Sequence, residues 1–229
     1  RANKMRILAG FIVILFISGC VQTQTRQDAF PEMYTVKQPK TIVVVPSINM
    51  STAADAGDVL NVTVAQPFSN HGYYVLPMPI VQDIFQKEGV IVGEQVKQIP
   101  VSVFRDSFGA DAVLFLTIKA WDKNYVVIAA NVTVGIEYEL ISTATGEKLW
   151  GYDEQVVLDT SGSSGFILTD IISTAISTAM TNYVDVAYQV HNMALSSMPV
   201  GSYHPQHGKD GEVESVIASK NTLVVEVED

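Results

Sequence analysis

The chain has 229 residues, enough for one domain with a real core, and a formal net charge of −10. Its 14 basic residues are scattered without a cluster, which argues against a nucleic-acid partner, because phosphate contacts need Lys/Arg patches. The single cysteine, Cys20, rules out an internal disulfide and a CxxC redox pair.

Cys20 closes the most informative stretch of the chain. Met5-Arg6 begins a short basic region, Ile7 to Ile17 is apolar, and Ser18-Gly19 are small. A basic start, an apolar run of this length and small residues at the cut describe a secretory signal. The run is too short to span a bilayer, which takes about 20 apolar residues. An uncleaved anchor, or a buried helix ending by chance at a cysteine, fits the small residues less well. Met5 reads as the initiator, with residues 1–4 as an upstream extension. Ile17-Ser18-Gly19-Cys20 resembles the lipobox of bacterial lipoproteins, in which the cysteine sulfur is acylated and the chain is cut before it. Residues 1–19 would then be a signal peptide, and residues 20–38 a lipidated start and polar tether. Two or three acyl chains on Cys20 would anchor the protein stably, and acylation would leave no thiol to ligate zinc. Val21 follows in place of the Asp that retains enterobacterial lipoproteins at the inner membrane, so the outer membrane is the expected address.

From residue 39 the chain reads as an α/β domain extending to residue 198. Thr41 to Val45 is continuous and β-branched and ends at Pro46, the pattern of a strand buried on both faces. Ser47 to Met50 reads as a loop and Asp55 to Phe68 as a helix, with Gly72 free to adopt the left-handed cap. Tyr73 to Leu76 is a second strand. Pro79 opens a helix to Glu88 with Ile80, Ile84 and Phe85 on one face, residues 89–98 form a linker, and Pro100 opens another helix that Gly109 stops. Asp111 to Trp121, Tyr125 to Ser142 and Lys148 to Leu158 follow as an antiparallel meander, with turns at Asp122-Lys123-Asn124 and Ala144 to Glu147. Gly135 marks a bulge or a close approach. Ser161 to Gly165 is a loop, and Ile167 to Ala194 repeats apolar residues at three- and four-residue steps, a long helix. Residues 199–229 read as a loosely structured tail, in which Thr222 to Val227 could add a short strand. The order β-α-β-α-α-β-β-β-α predicts a mixed five-stranded sheet with helices packed on its faces.

Pro39 to Pro46, Gly72-Tyr73-Tyr74-Val75, Phe108 to Leu114 and Thr145 to Trp150 recur in the order and spacing of a bacterial outer-membrane lipoprotein family, typified by a genome-derived neisserial surface antigen. The sequence resembles that family from the lipobox to about Leu195. The resemblance implies a fold similar to the N-terminal domain of TolB and to the curli-secretion lipoprotein. It also implies a role in transport or assembly at the envelope, beside partners such as another lipoprotein. It carries no catalytic residues.

Other candidate sites are weak. Asp153-Glu154 and Asp159 could serve acid/base or metal chemistry, but no second carboxylate motif has the needed spacing. His71 sits at a predicted helix end, and His191 lies beside the apolar stripe of the long helix, both in structural roles. His204 and His207 are two imidazoles where zinc sites need three or four ligands. Gly162 to Gly165 matches neither a P-loop nor G-x-S-x-G. Trp121, Tyr125, Trp150 and Tyr152 form a contact patch if exposed and ordinary core if buried. No catalytic, cofactor or metal residue is therefore assigned, and lipidation of Cys20 is the one site. The expected function is a non-enzymatic, periplasm-facing interaction module in assembly, transport or secretion, with room for an oligomer. The alternatives are a subunit of a ring-forming secretion pore, using the hairpin of residues 111–142, and an envelope hydrolase.

Overall fold

A computed structural model describes residues 24–35, 38–126, 129–159 and 183–215. Cys20, the Ser161–Gly165 loop, the apolar stripe of residues 167–180 and the segment after residue 215 lie outside the described residues.

Strands β2 (Thr41–Val44), β4 (Tyr74–Val75), β5 (Ala112–Val126), β6 (Ala129–Ser142) and β7 (Lys148–Asp159) form a sheet in the order β4-β2-β5-β6-β7. β2 pairs in parallel with both β4 and β5, and β5-β6-β7 is an antiparallel meander. The mixed five-stranded sheet is thus the one expected, with one addition. Pro46 lacks the N–H that would continue β2, so pairing lapses and resumes at β3 (Ile48–Asn49), in parallel with Thr117 and Ile118 of β5. The expected loop at 47–50 is therefore a strand resumed after a proline.

Alternation along the strands divides the core into two faces. Ile42 and Val44 of β2, with Leu114, Leu116 and Ile118 of β5, pack beneath α2 (Ala56–Thr63), α3 (Ala65–Asn70) and α7 (Tyr183–Leu195). Val43, Val45, Val113 and Phe115 face the other way, towards α4 (Met78–Lys87), α5 (Gly93–Val96) and α6 (Val101–Phe108). Both sides of β2 are buried, as its unbroken β-branched run requires. The opposite face of the meander stays polar: Lys119 bridges Glu137 (3.2 Å) and Asp153 (2.7 Å) across three strands.

Several boundaries differ from expectation for local reasons. The helix of residues 55–68 is two helices, because Pro67 cannot donate to the Thr63 carbonyl. On α4, Met78, Val81 and Phe85 are buried and Ile80 is exposed, so the buried face is rotated from the one inferred. The linker of residues 89–98 contains α5, whose approach Gln95 stabilises by accepting from the Ile91 and Val92 amides (2.8 and 3.1 Å). The turn placed at Asp122–Asn124 is continuous strand, and β5 and β6 pair out to Val126 and Ala129. There, continuous pairing with the neighbouring strand overrides the turn composition. Gly135 lies opposite the register shift between Ile118 and Ala120, the bulge of the two expected alternatives, and its surroundings leave ordinary contact distance for a side chain.

The two expected loose ends do not hold where they are described. β1 (Gln24–Thr25) pairs antiparallel with β8 (Glu214–Ser215), and α1 (Arg26–Ala29) starts at Thr25, whose hydroxyl accepts from the Asp28 amide (3.2 Å). Met33, in a 3-10 turn at Pro31–Tyr34, is fully buried in the core. A polar tether would leave such a residue in water. Residues 199–215 are turn-rich, as their composition implies, but Val200, Asp210 and Ser215 are buried.

Candidate interaction surface

The polar side chains on the α2–α7 face of the core bond to one another and to nearby carbonyls. His191, on the buried stripe of α7 rather than beside it, is fully buried. Its Nε2 lies 3.1 Å from Thr63 Oγ1 and its Nδ1 lies 2.9 Å from the Tyr138 hydroxyl. Thr63 already donates to the Val59 carbonyl (2.8 Å), so its oxygen accepts from His191 Nε2–H, which leaves Nδ1 to accept from Tyr138. This assignment makes a neutral imidazole with both nitrogens used. Burial lowers the His191 pKa to about 3 and raises that of Tyr138 well above its ordinary value. Trp150, edge-on to Phe68, donates through Nε1 to Ser197 Oγ (3.1 Å).

The other sequence candidates separate just as clearly. Trp121 and Trp150 are core, Tyr152 is half-buried, and the Tyr125 side chain lies outside the described residues, as does that of Asp159. The aromatic group is therefore packing at its buried members, not a contact patch. Asp153 is held by Lys119, and Glu139 by Lys97 (2.8 Å) and Lys148 (3.3 Å). Burial opposes ionisation of Glu139, but the two lysines prevail and hold its pKa below the ordinary value. His71 caps α3 and its Nε2–H donates to the Met198 carbonyl (2.9 Å), while burial lowers its pKa. His204 Nδ1 accepts from the Gln206 amide (3.1 Å) and His207 is exposed. Among the described residues no three His, Cys, Asp or Glu side chains group as metal ligands.

What remains is a body with two distinct ends. At the end where β2, β4 and β5 begin, residues 24–35 are clasped to the turns that follow Pro199. Arg26 Nη1 meets Asp210 Oδ2 at 3.0 Å, and its Nη2 donates to the Ser196 carbonyl (2.8 Å). Asp210 also accepts from the Val200 amide (2.8 Å). Gln38 donates to the Val200 carbonyl (2.9 Å), Tyr73 to that of Pro199 (2.6 Å), and the Gly201 and Tyr203 amides to His71 and Gly72. A side chain at Gly201 would collide with the Gly72 carbonyl, so the approach requires glycine.

At the other end, where β2 gives out, large apolar side chains face water around the Ser47 loop. The Ser47 amide donates to Asn61 (3.2 Å), and Gly93 packs against the Pro46 and Ser47 carbonyls. Close to these residues along the chain lie Met50 (70% exposed), Val62 (72%), Ile91 (74%) and Val92 (50%). Sequence reading missed them because they lie in a loop, a short helix and a linker. The one signal was the Val90-Ile91-Val92 run in a segment that water should otherwise favour as polar.

The model of GNA1162-like lipoproteins matches residues 32–205. A protein of Neisseria meningitidis serogroup B named as a lipoprotein, NMB1124/NMB1162, is 25% identical over 192 residues, covering 84% of this chain and 89% of its own. The crystal structure of lipoprotein GNA1162 from Neisseria meningitidis superimposes with a TM-score of 0.51 at 26% identity, over 55% of this chain and 87% of that one. The match spans both faces of the sheet and enters the tail turns that follow Pro199, and on it the chain belongs to the GNA1162-like lipoprotein family.

Proposed function

We propose that the chain is a non-enzymatic lipoprotein of the outer membrane, held by acyl chains on Cys20, whose α/β body serves as a periplasm-facing interaction module in envelope assembly, transport or secretion. Residues 1–19 are the signal peptide in this reading. Family membership supports a lipid-anchored envelope protein, and Ile17-Ser18-Gly19-Cys20 supplies the acceptor. The observation that carries the interaction role is the high exposure of Met50, Val62, Ile91 and Val92, close in the chain to the contacts of the Ser47 loop.

Photo-crosslinking in intact cells from Met50 and from Ile91 tests this. Both positions should capture one and the same envelope protein, and Tyr203 at the opposite end should not. Equal capture from all three, or from none, counts against the proposed surface. The ring-forming alternative makes a different prediction, a stable assembly of many copies in detergent. Val132, Val134, Ile136 and Leu140 of the hairpin are buried in the core rather than turned outward.

A further inference from the structure

The clasp determines how far the body can stand from a lipid on Cys20. Gln24, the first residue of β1, is four residues beyond Cys20, and a fully extended chain spans at most about 3.6 Å per residue, so the two are within roughly 14 Å of each other. A tether reaching to residue 38 would have allowed several times that distance. Instead β1 is hydrogen-bonded to β8, and Arg26 is fixed to Asp210 and Ser196.

The register of the sheet says which end this brings to the membrane. The tail that receives Arg26 is bonded to Gln38, His71, Gly72 and Tyr73, immediately before the paired starts of β2 and β4 at Thr41 and Tyr74. At the same level the Asp111 carboxylate accepts from the Lys40 and Thr41 amides (3.0 Å each). Met50 is bonded to Ile118, six residues along β5 from Ala112, which places it roughly 20 Å further on.

We propose that the clasp of residues 24–35 with 209–215 is a membrane seat: it presses the strand-start end of the body, with Val213 and Tyr203 exposed on it, against lipid headgroups, and turns the Met50–Ile91 end away. This rests on the acylation of Cys20 proposed above. The partner of the seat is the bilayer surface itself. Its exposed rim carries Asp28, Glu212 and Glu214 against Lys40 and Lys209, so charge does not draw it to an anionic membrane. The covalent lipid and the short link do so. The seat also gives the apolar group its direction, outward towards whatever the periplasm presents.

The test uses the full acylated protein in vesicles of phosphatidylcholine and phosphatidylethanolamine containing a headgroup-nitroxide lipid. With the Cys20 sulfur acylated, Val213→Cys and Met50→Cys each offer one thiol for a fluorophore. The label at 213 should be quenched severalfold more than the label at 50. Inserting about ten Gly/Ser residues between Thr23 and Gln24, which leaves the clasp intact, should release the label at 213. Equal quenching at the two positions in protein whose mass shows the acyl chains, or no release by the insertion, overturns the seat alone. A mass showing unmodified Cys20 overturns the anchor and the seat with it.

Discussion

A histidine with both ring nitrogens bonded inside the core makes stability depend on pH. Folded His191 titrates at about 3 against an ordinary 6.5. Between those values the unfolded chain binds a proton that the folded chain refuses. Its contribution is therefore intact above about 6.5 and is lost as pH falls towards about 3, by at most ~1.4 kcal/mol per pH unit. His191→Gln should be less stable than the parent at neutral pH, where it disturbs Thr63 and Tyr138, yet lose less further stability on acidification. Urea midpoints measured across that range read both effects, and parallel curves for the two proteins would contradict the assignment. In sequence, His191 stood out only as a polar residue near an apolar stripe. Thr63 and Tyr138, which occupy its two ring nitrogens, are 128 and 53 residues away, and no spacing rule connects them.

Among the elements, legibility followed the range of the interactions that make them. Thr41–Val44 was readable because a β-branched run ended by proline is local information. The helix stops at Gly72 and Gly109 were readable for the same reason, and both have positive φ. The clasp was not, because β1 and β8 are two residues each and lie at opposite ends of the chain, too short for any periodicity. Its strength resides in Arg26 and Asp210, 12% and 4% exposed, joined across 184 positions. Removing one partner of such a buried pair costs on the order of 3–5 kcal/mol, since the other charge is stranded. Arg26→Ala should accordingly lower the urea midpoint and open residues 24–35 to protease well before the sheet unfolds. Release of that segment with no change in stability would show that Met33 and the β1–β8 pairing contribute little.

The whole molecule is polarised. One end joins residues 24–35 to residues 209–215, and the other carries Met50, Val62, Ile91 and Val92 in water. Hydrophobic patterning indicated an α/β body, the lipobox resemblance pointed to a lipoprotein, and the ordered motifs indicated the family, because each is read from short stretches of sequence. None of them could indicate this polarity, which arises only when the parallel strands set a common direction for loops far apart in the chain. Everything functional in the account still depends on Cys20. Intact-mass and N-terminal analysis of the protein extracted from the cell envelope tests it most directly. The expected product is a chain that begins at a Cys20 carrying two or three acyl groups, with residues 1–19 gone. A chain retaining residues 1–19 with an unmodified Cys20 thiol would contradict it.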